Sequence, residues 1–426
     1  MTAKILYQGQ FYDPSGYAVA ARGYVKSIHD YITHNNLDID LKIVPISADK
    51  LKSLTNEEKE FLDPLAFDSV EDMDKWIADE DYHYVFHHPP VYAWKLPITK
   101  KLAALSVNTT CITVWETDRM PSYWGDIFEM YSVDKIVVPC KWNQQNFVAS
   151  LESLDTPLPV IAVPHLINEN FIKDDAPSKN DNFNILNQDS FNVLTVGQWT
   201  DRKALLNVIK AFLMEFKGQE DCSLFVKTYG NIQNSNPEYQ KHQQQQIAHQ
   251  IGILKNSILG DDMGIHGPPP LPKCKLHLLY GLYPKSRMNY LYKNADLFAL
   301  FSKAEGFGLP IAEAIVNQTP VIVHDKGGHV DYLDKENNFL VECYSTPANC
   351  TIFPFVYSCD SNWFETDFLS ARKQFRLAYQ EWKDNKDSYS KRGPAVQKYM
   401  LDITGDSVAL GEMLVNFVRE ANASSN

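Results

Sequence analysis

Apolar residues along this chain fall into short blocks separated by longer stretches with helical spacing. Runs at 5–8, 41–44, 84–87, 111–115, 136–139 and 160–163 are rich in β-branched and aromatic side chains. They are too short for helices and read as strands. Strand alternating with helix predicts a parallel sheet covered on both faces, whose strands appear as continuous apolar runs. Composition then breaks at 173–190, K-D-D-A-P-S-K-N-D-N-F-N-I-L-N-Q-D-S, a polar stretch with the character of an interdomain linker. A second strand–helix series begins at Phe191, with strands expected at 192–196, 223–227, 276–280, 297–301, 321–324 and 339–341. It is interrupted at 229–267 by a polar stretch containing Gln243, Gln244, Gln245 and Gln246, which predicts an exposed helix-and-loop elaboration. The tail, 368–421, is helical in pattern. The organisation expected is a first domain over 1–175, a linker over 176–190, a second domain over 191–367 and C-terminal helices over 368–426.

At 426 residues the chain exceeds one ordinary core and suits two α/β domains. No apolar run approaches the ~20 residues that span a bilayer. The opening M-T-A-K-I-L-Y-Q-G reads as a first strand rather than a signal peptide, so a cytoplasmic location is expected. The seven cysteines, odd in number and without a C-x-x-C pair, fit reduced, buried thiols. A net charge of −13 argues against nucleic acid as a partner and against tight docking on anionic lipid. The local exception is the basic and apolar mixture of Trp94, Lys95, Lys100 and Lys101, which suits either a peripheral membrane contact or a solvated helix face. Asp38-Ile39-Asp40 has the form D-x-D but stands where an apolar strand begins, and no metal site is assigned to it.

The densest chemistry lies in S-K-A-E-G-F-G-L-P-I-A-E, from Ser302 onward. Glu305 follows a strand, Glu313 lies about two turns into a helix, and Gly-Phe-Gly sits between them. A strand, a glycine turn and a helix N-terminus suit an anionic, polyhydroxylated ligand. Arg202 and Lys203 stand between the strand ending at Gly197 and the helix 204–216. Two cations with free backbone N–H groups at one sheet end are what a diphosphate needs, although a solvated basic turn has the same composition. Gly281-Leu282-Tyr283-Pro284 follows another strand, with Tyr283 either a base-stacking or a core aromatic. Gly327-Gly328-His329 makes a further glycine turn. In the first half, Asp13-Pro14-Ser15-Gly16-Tyr17 joins the first strand to its helix, His87 and His88 end a strand, and Glu116 follows the next. Cys140 has no base beside it in sequence and is read as structural.

The E-x7-E spacing, with G-F-G-L-P inside it and T-P-V-I after it, resembles the signature of retaining glycosyltransferases of the GT-B fold, glycosyltransferase family 4 in particular. That resemblance implies two Rossmann-like parallel-sheet domains facing each other across a cleft, with a C-terminal helix crossing back to the N-domain. It implies a nucleotide-sugar donor held by the second domain, and a glycan, lipid-linked or small-molecule acceptor bound by the first. No metal or other cofactor is required. Glu313 would bind ribose hydroxyls. Glu305 would face the transferred sugar where positive charge develops in the transition state. Backbone groups of Phe307, Gly308 and Leu309 would reach sugar and phosphates, Arg202 and Lys203 the diphosphate, and the loop of Leu282 and Tyr283 the base. Gly16 would approach the donor phosphates, with Tyr17 where a second glycine is commoner. His87, His88 and Tyr17 would contact acceptor or sugar. Glu116 stands where many members carry a histidine. Its carboxylate could accept a sugar hydroxyl, act as a base toward the acceptor, or pair with Arg119. That departure also admits a catalytically silent, sugar-nucleotide-binding subunit of a larger assembly.

Overall fold

The computed structural model describes residues 2–13, 15–46, 54–90, 96–152, 157–168, 185–187, 189–231, 234, 236–259, 274–350, 357 and 360–420. They form two compact units, residues 1–168 with 402–426, and residues 169–401. Most of the expected linker, and Trp94 with Lys95, lie outside the described residues.

The first unit contains a six-stranded parallel sheet: β1 (Ala3–Gly9), β2 (Ile39–Pro45), β3 (Tyr82–His87), β4 (Asn108–Ile112), β5 (Lys135–Val138) and β6 (Val160–Ala162). The spatial order is β2-β1-β3-β4-β5-β6. Gly9 at the end of β1 lies opposite both Pro45 and His87. Strand order therefore reverses between β1 and β3, the switch point at which open α/β sheets take ligands. Strand β4 starts three residues before the apolar run 111–115, because Asn108, Thr109 and Thr110 pair with β3. Their polar side chains hid a buried strand whose threonines are β-branched. Helices α1 (Gly16–His34), α2 (Asn56–Leu62), α3 (Val70–Asp79), α4 (Pro97–Leu105), α5 (Tyr123–Met130) and α6 (Lys141–Leu151) fill the connections. Ser15 caps α1, its Oγ accepting from the Ala18 N–H at 3.2 Å. Cys140 caps α6, its Sγ accepting from the Asn143 N–H at 3.4 Å, which is a structural role. Lys100 and Lys101 are exposed on α4, and Lys101 pairs with Asp74 at 2.8 Å, as on a solvated helix face.

The second unit repeats the plan with β7 (Phe191–Gln198), β8 (Cys222–Tyr229), β9 (Lys275–Tyr280), β10 (Leu297–Leu300), β11 (Val321–His324) and β12 (Phe339–Val341). Their order is β12-β11-β10-β7-β8-β9, which puts the switch between β7 and β10. Helices α7 (Leu205–Phe216), α8 (Pro237–Leu259), α9 (Lys285–Asn294) and α10 (Leu309–Val316) connect them. The glutamine-rich insertion is the long helix α8, which buries Ile247 and Ile251 and exposes most of its polar residues. An antiparallel pair, β13 (Cys343–Pro347) and β14 (Asn362–Thr366), was not foreseen from the pattern.

The C-terminal tail is divided between the units. Helix α11 (Phe368–Asp384) packs on α7, with the Phe375 ring 6.2 and 5.8 Å from Phe212 and Phe216 and with Arg372 and Arg376 on Glu215. The chain returns to the first unit within α12 (Lys386–Thr404), at 401/402. Helix α13 (Ser407–Arg419) then lies against α1. The contact is close: a Cβ on Gly411 would stand 2.0 Å from the Ser27 carbonyl oxygen. Leu410, Leu414, Val415 and Val418 join Tyr24, Val25 and Ile28 in one core cluster. The far end of α13 is held by the sheet. Lys135 donates from Nζ to the carbonyls of Phe417, at 2.7 Å, and Glu420, and Asn108 donates to Val418 O at 2.9 Å. A buried cation there complements the negative end of the helix dipole.

Candidate functional site

The sheet order of the second unit brings the loop after β7 beside the loop after β10. The Lys303 N–H donates to Arg202 O at 2.8 Å, and the Ser302 hydroxyl donates to the same carbonyl at 3.1 Å. This sets the side chains face to face. Lys203 Nζ lies 2.5 Å from Glu305 Oε1, and Arg202 NH1 lies 3.8 Å from Oε2. Arg202 NH1 is also anchored to Ala304 O at 2.7 Å. Glu305 is only 6% exposed. Burial pushes its carboxyl up, but the Lys203 ammonium and Arg202 guanidinium reverse this and hold it below the usual carboxylate range. Glu313, on α10, accepts from the Tyr292 hydroxyl at 2.6 Å. Burial pushes its carboxyl up, and Tyr292, Lys285 and Lys203 offset only part of that. The two carboxylates of the motif thus differ: one is strongly paired, the other protonates more readily.

Between them the chain turns at Gly308, whose φ of 85° favours glycine and which caps α10. The Tyr332 hydroxyl donates to the carbonyls of Phe307 at 2.8 Å and Gly308 at 3.1 Å, fixing the turn from behind. Leu309 begins the helix; Pro310 has no N–H, and the Ile311 and Ala312 N–H groups donate to Gly308 O at 2.8 and 3.2 Å, so of the first turn only the Leu309 N–H lies outside the helix's own bonding. The Gly328 N–H donates to Glu305 O at 2.9 Å, tying the next glycine turn to the same loop. His329 is buried, and its Nε2 donates to the His324 carbonyl at 2.9 Å, leaving Nδ1 as an acceptor.

Two strands further along, Tyr283 is half-buried and Leu282 is 60% exposed. The Lys227 ammonium stands 4.6 Å from the Tyr283 ring centroid and the Arg287 guanidinium 5.9 Å from it. Lys227 also donates to Gly281 O at 2.5 Å. Its burial lowers the ammonium to about 8. Tyr283 is therefore a loop aromatic beside cations, at the sheet's carboxyl edge. Lys227, Tyr229, Tyr292 and Lys285 were not identified from the sequence. Burial pushes the Tyr229 phenol up, the Glu313 carboxylate adds to this and the Arg202 guanidinium opposes it. The signal that could have found Lys227 and Tyr229 is the polar end K-T-Y-G of an apolar strand, the same signal that drew attention to Glu116.

In the first unit the switch between β1 and β3 gathers a second group. His87 is 2% exposed and hydrogen-bonds through Nδ1 to the Tyr7 hydroxyl at 2.7 Å. The rings of Tyr17 and Tyr24 lie 5.6 and 5.5 Å from it. The Tyr17 hydroxyl donates to Val114 O at 3.4 Å, beside Glu116, whose charge pushes the phenol further up than burial alone. Gly16 is exposed at the start of α1. His88 donates from Nδ1 to Pro89 O at 3.0 Å, while its buried Nε2 has no hydrogen-bond partner. Burial lowers His88 to about 4 and holds it neutral at physiological pH. His165, which sequence reading passed over, meets the Tyr24 hydroxyl at 3.0 Å and is lowered to about 3 by burial.

Comparison with known proteins sharpens this. Residues 275–349, which carry both carboxylates and the Tyr283 loop, match the model of Glycosyl transferases group 1. The chain has the GT-B fold, and this segment of it resembles glycosyl transferases group 1. Solved structures similar over nearly its whole length include an α,α-trehalose-phosphate synthase (UDP-forming) from Burkholderia vietnamiensis, 11% identical, covering 100% of both chains with a TM-score of 0.63. Anabaena HepE in complex with UDP-glucose is 11% identical over 97% of this chain and 99% of that one, with a TM-score of 0.56. The E. coli trehalose-6-phosphate enzyme bound with UDP-2-fluoro glucose is 12% identical over 98% and 99%, with a TM-score of 0.60. At such identities the likeness is one of fold. No curated protein matches the chain at a significant level. No helix among the described residues is long and apolar enough to cross a membrane.

Proposed function

We propose that this protein is a glycosyltransferase that moves a sugar from a nucleoside diphosphate sugar to a glycan, lipid-linked or small-molecule acceptor, with retention of configuration and without a metal. The observation that carries the proposal is the convergence of Lys203, Arg202, Glu305 and Glu313 at one switch point. Arg202, Lys203 and the N-terminal turn of α10 supply positive charge for a leaving diphosphate, so the chemistry needs no metal there. Glu305, ionised and buried, faces a sugar that becomes oxocarbenium-like as the diphosphate leaves. Glu313 takes the ribose hydroxyls, backbone N–H groups at Phe307, Gly308 and Leu309 take sugar and phosphates, and the loop of Leu282 and Tyr283 takes the base. Retention follows from attack on the face the diphosphate leaves, with the departing phosphate accepting the acceptor's proton. Gly16, Tyr17, His87, His88 and Glu116 of the first unit are assigned to acceptor and transferred sugar. His87 is committed to Tyr7, and half-buried Glu116 is assigned to a hydroxyl of sugar or acceptor. The reaction is placed in the cytoplasm, with any membrane contact peripheral.

The test is thermal stability against UDP, GDP, ADP, CDP and TDP. UDP comes first because similar structures were solved with UDP-sugars. A ligand at a hundred times its dissociation constant adds ~2.7 kcal/mol. Stabilisation by one nucleotide, followed by transfer from its sugar conjugate, supports the reading. Nucleotide binding without transfer or donor hydrolysis favours the silent subunit instead, a reading motivated by Glu116 standing where a histidine is usual. Failure of all five to bind removes the donor site.

A further inference from the structure

Resting on the donor-site reading above, the geometry points to a latch: Lys203 is shared between Glu305 in the free protein and the donor's diphosphate in the complex. Donor binding must break the Glu305–Lys203 pair, and in doing so it frees the carboxylate for the sugar.

Three observations carry this. First, the pair is short and shielded. The Nζ–Oε1 distance is 2.5 Å, with side-chain exposures of 13% and 6%. An ammonium held so closely to one carboxylate cannot offer its full charge to a phosphate as well. Second, the two cations are not held alike. Arg202 is bonded to the Ala304 carbonyl at 2.7 Å and approaches Glu305 only to 3.8 Å, so its guanidinium keeps a backbone anchor whatever Glu305 does. Lys203, on four rotatable bonds, can move between anions while Arg202 stays. Third, the charge balance changes on binding. The free site sets two cations against Glu305, with Glu313 pushed toward its neutral form. A diphosphate adds at least two negative charges beside them, which makes anions outnumber cations and sets phosphate and Glu305 in competition for Lys203. A carboxylate that loses its ammonium inside the protein needs a new donor. In this site the sugar's hydroxyls are that donor. The latch therefore couples arrival of the diphosphate to availability of Glu305, and it keeps the carboxylate neutralised when no sugar is present.

The coupling predicts an effect opposite to that of an ordinary binding residue. Glu305→Gln removes the competitor, so the variant should bind UDP about tenfold more tightly than the unmodified chain, equivalent to about 1.4 kcal/mol. Isothermal titration of UDP into both proteins, each first shown to unfold cooperatively on heating, reads this directly. Uridine, which lacks phosphates, should bind both equally. The double variant Lys203→Met with Glu305→Gln separates the latch from simple repulsion between carboxylate and phosphate. On the Lys203→Met background the tightening should vanish. If it persists there, or if Glu305→Gln binds UDP no better than the unmodified chain, the latch is overturned while the donor site stands. A structure of the unmodified chain with UDP gives a reading independent of any variant. Lys203 Nζ on a phosphate and more than ~4 Å from Glu305 supports the latch, and retention of the short pair overturns it. If neither UDP nor the other four diphosphates binds the unmodified chain, the donor-site reading fails and the latch falls with it.

Discussion

Removing the ammonium from the Glu305 pair isolates what the pair contributes to the fold. Lys203→Met keeps most of the side-chain volume and deletes the charge. At an effective dielectric of ~20, the 2.5 Å contact is worth ~7 kcal/mol of gross attraction and the 3.8 Å approach of Arg202 ~4 kcal/mol, before desolvation is deducted. Breaking a buried pair from one side typically costs 3–5 kcal/mol. Because Arg202 remains, a loss of about 3 kcal/mol at neutral pH is expected. For a unit the size of residues 169–401 this corresponds to a fall in Tm of ~6–12 °C. The sign of the pH dependence is a stricter check. In the unmodified chain Glu305 is held below the ordinary carboxylate range, so its contribution is present above the unfolded pKa and is lost as pH falls through the folded one. In the variant the largest downward influence is gone and burial dominates, so the folded pKa rises. The variant then loses stability as pH rises through that raised value. The gap between the two proteins should be small near pH 4 and widen toward pH 8. Calorimetric scans at several pH values, following the transition of the second unit, measure it. A gap under ~1 kcal/mol, or one that stays constant across that range, would refute the view that Lys203 is the main counter-charge of Glu305.

Three further perturbations probe other parts of the argument. Glu305→Gln should slow sugar transfer ~10²–10³-fold, the ~3–4 kcal/mol lost with one preorganised electrostatic partner, and near-normal turnover would remove Glu305 from catalysis. Lys135→Met leaves the Phe417 and Glu420 carbonyls at the end of α13 without their buried donor and should cost ~1–3 kcal/mol in the first unit's unfolding; an unchanged Tm would mean that water caps the helix as well. Gly308→Ala forces an L-residue to a φ of 85° and sets a Cβ 3.1 Å from Ile311 Cδ1, so ~1–2 kcal/mol of strain should appear. Transfer should fall more than stability, since the strain lies at the turn facing the donor, and equal losses of both would argue against that placement.

Most of the strands were legible because parallel strands covered on both faces must be apolar throughout, and twelve such runs can be read off the chain. The strands that resisted are those that bury polar residues or stand open to solvent. Asn108 to Thr110 are buried inside the first unit, with the Asn108 amide donating to α13 and the Thr109 hydroxyl bonded to that of Ser106, and so begin β4 outside any apolar run. The pair β13–β14 is short and without alternation, since neighbouring Tyr344 and Ser345 are both exposed while neighbouring Trp363 and Phe364 are both buried. The same asymmetry governs the site. Glu305, Glu313, Arg202 and Lys203 announced themselves because charged residues interrupt apolar strands and helices at a fixed spacing. Lys227 and Tyr292 did not, because each is a lone polar group whose purpose depends on what a different strand or helix brings to it: the Gly281 carbonyl in one case, the Glu313 carboxylate in the other. Sequence spacing reports residues that share one element or one loop. It is silent on partners that meet only because β7 and β10 are neighbours in the sheet though 98 residues of chain separate Gln198 from Leu297. The Lys203–Glu305 pair belongs to that second kind. Each residue could be named from its own motif, but that the cation assigned to phosphate already holds the carboxylate assigned to the sugar follows only from the strand order. This is why the latch, unlike the two motifs that form it, had to wait for the fold.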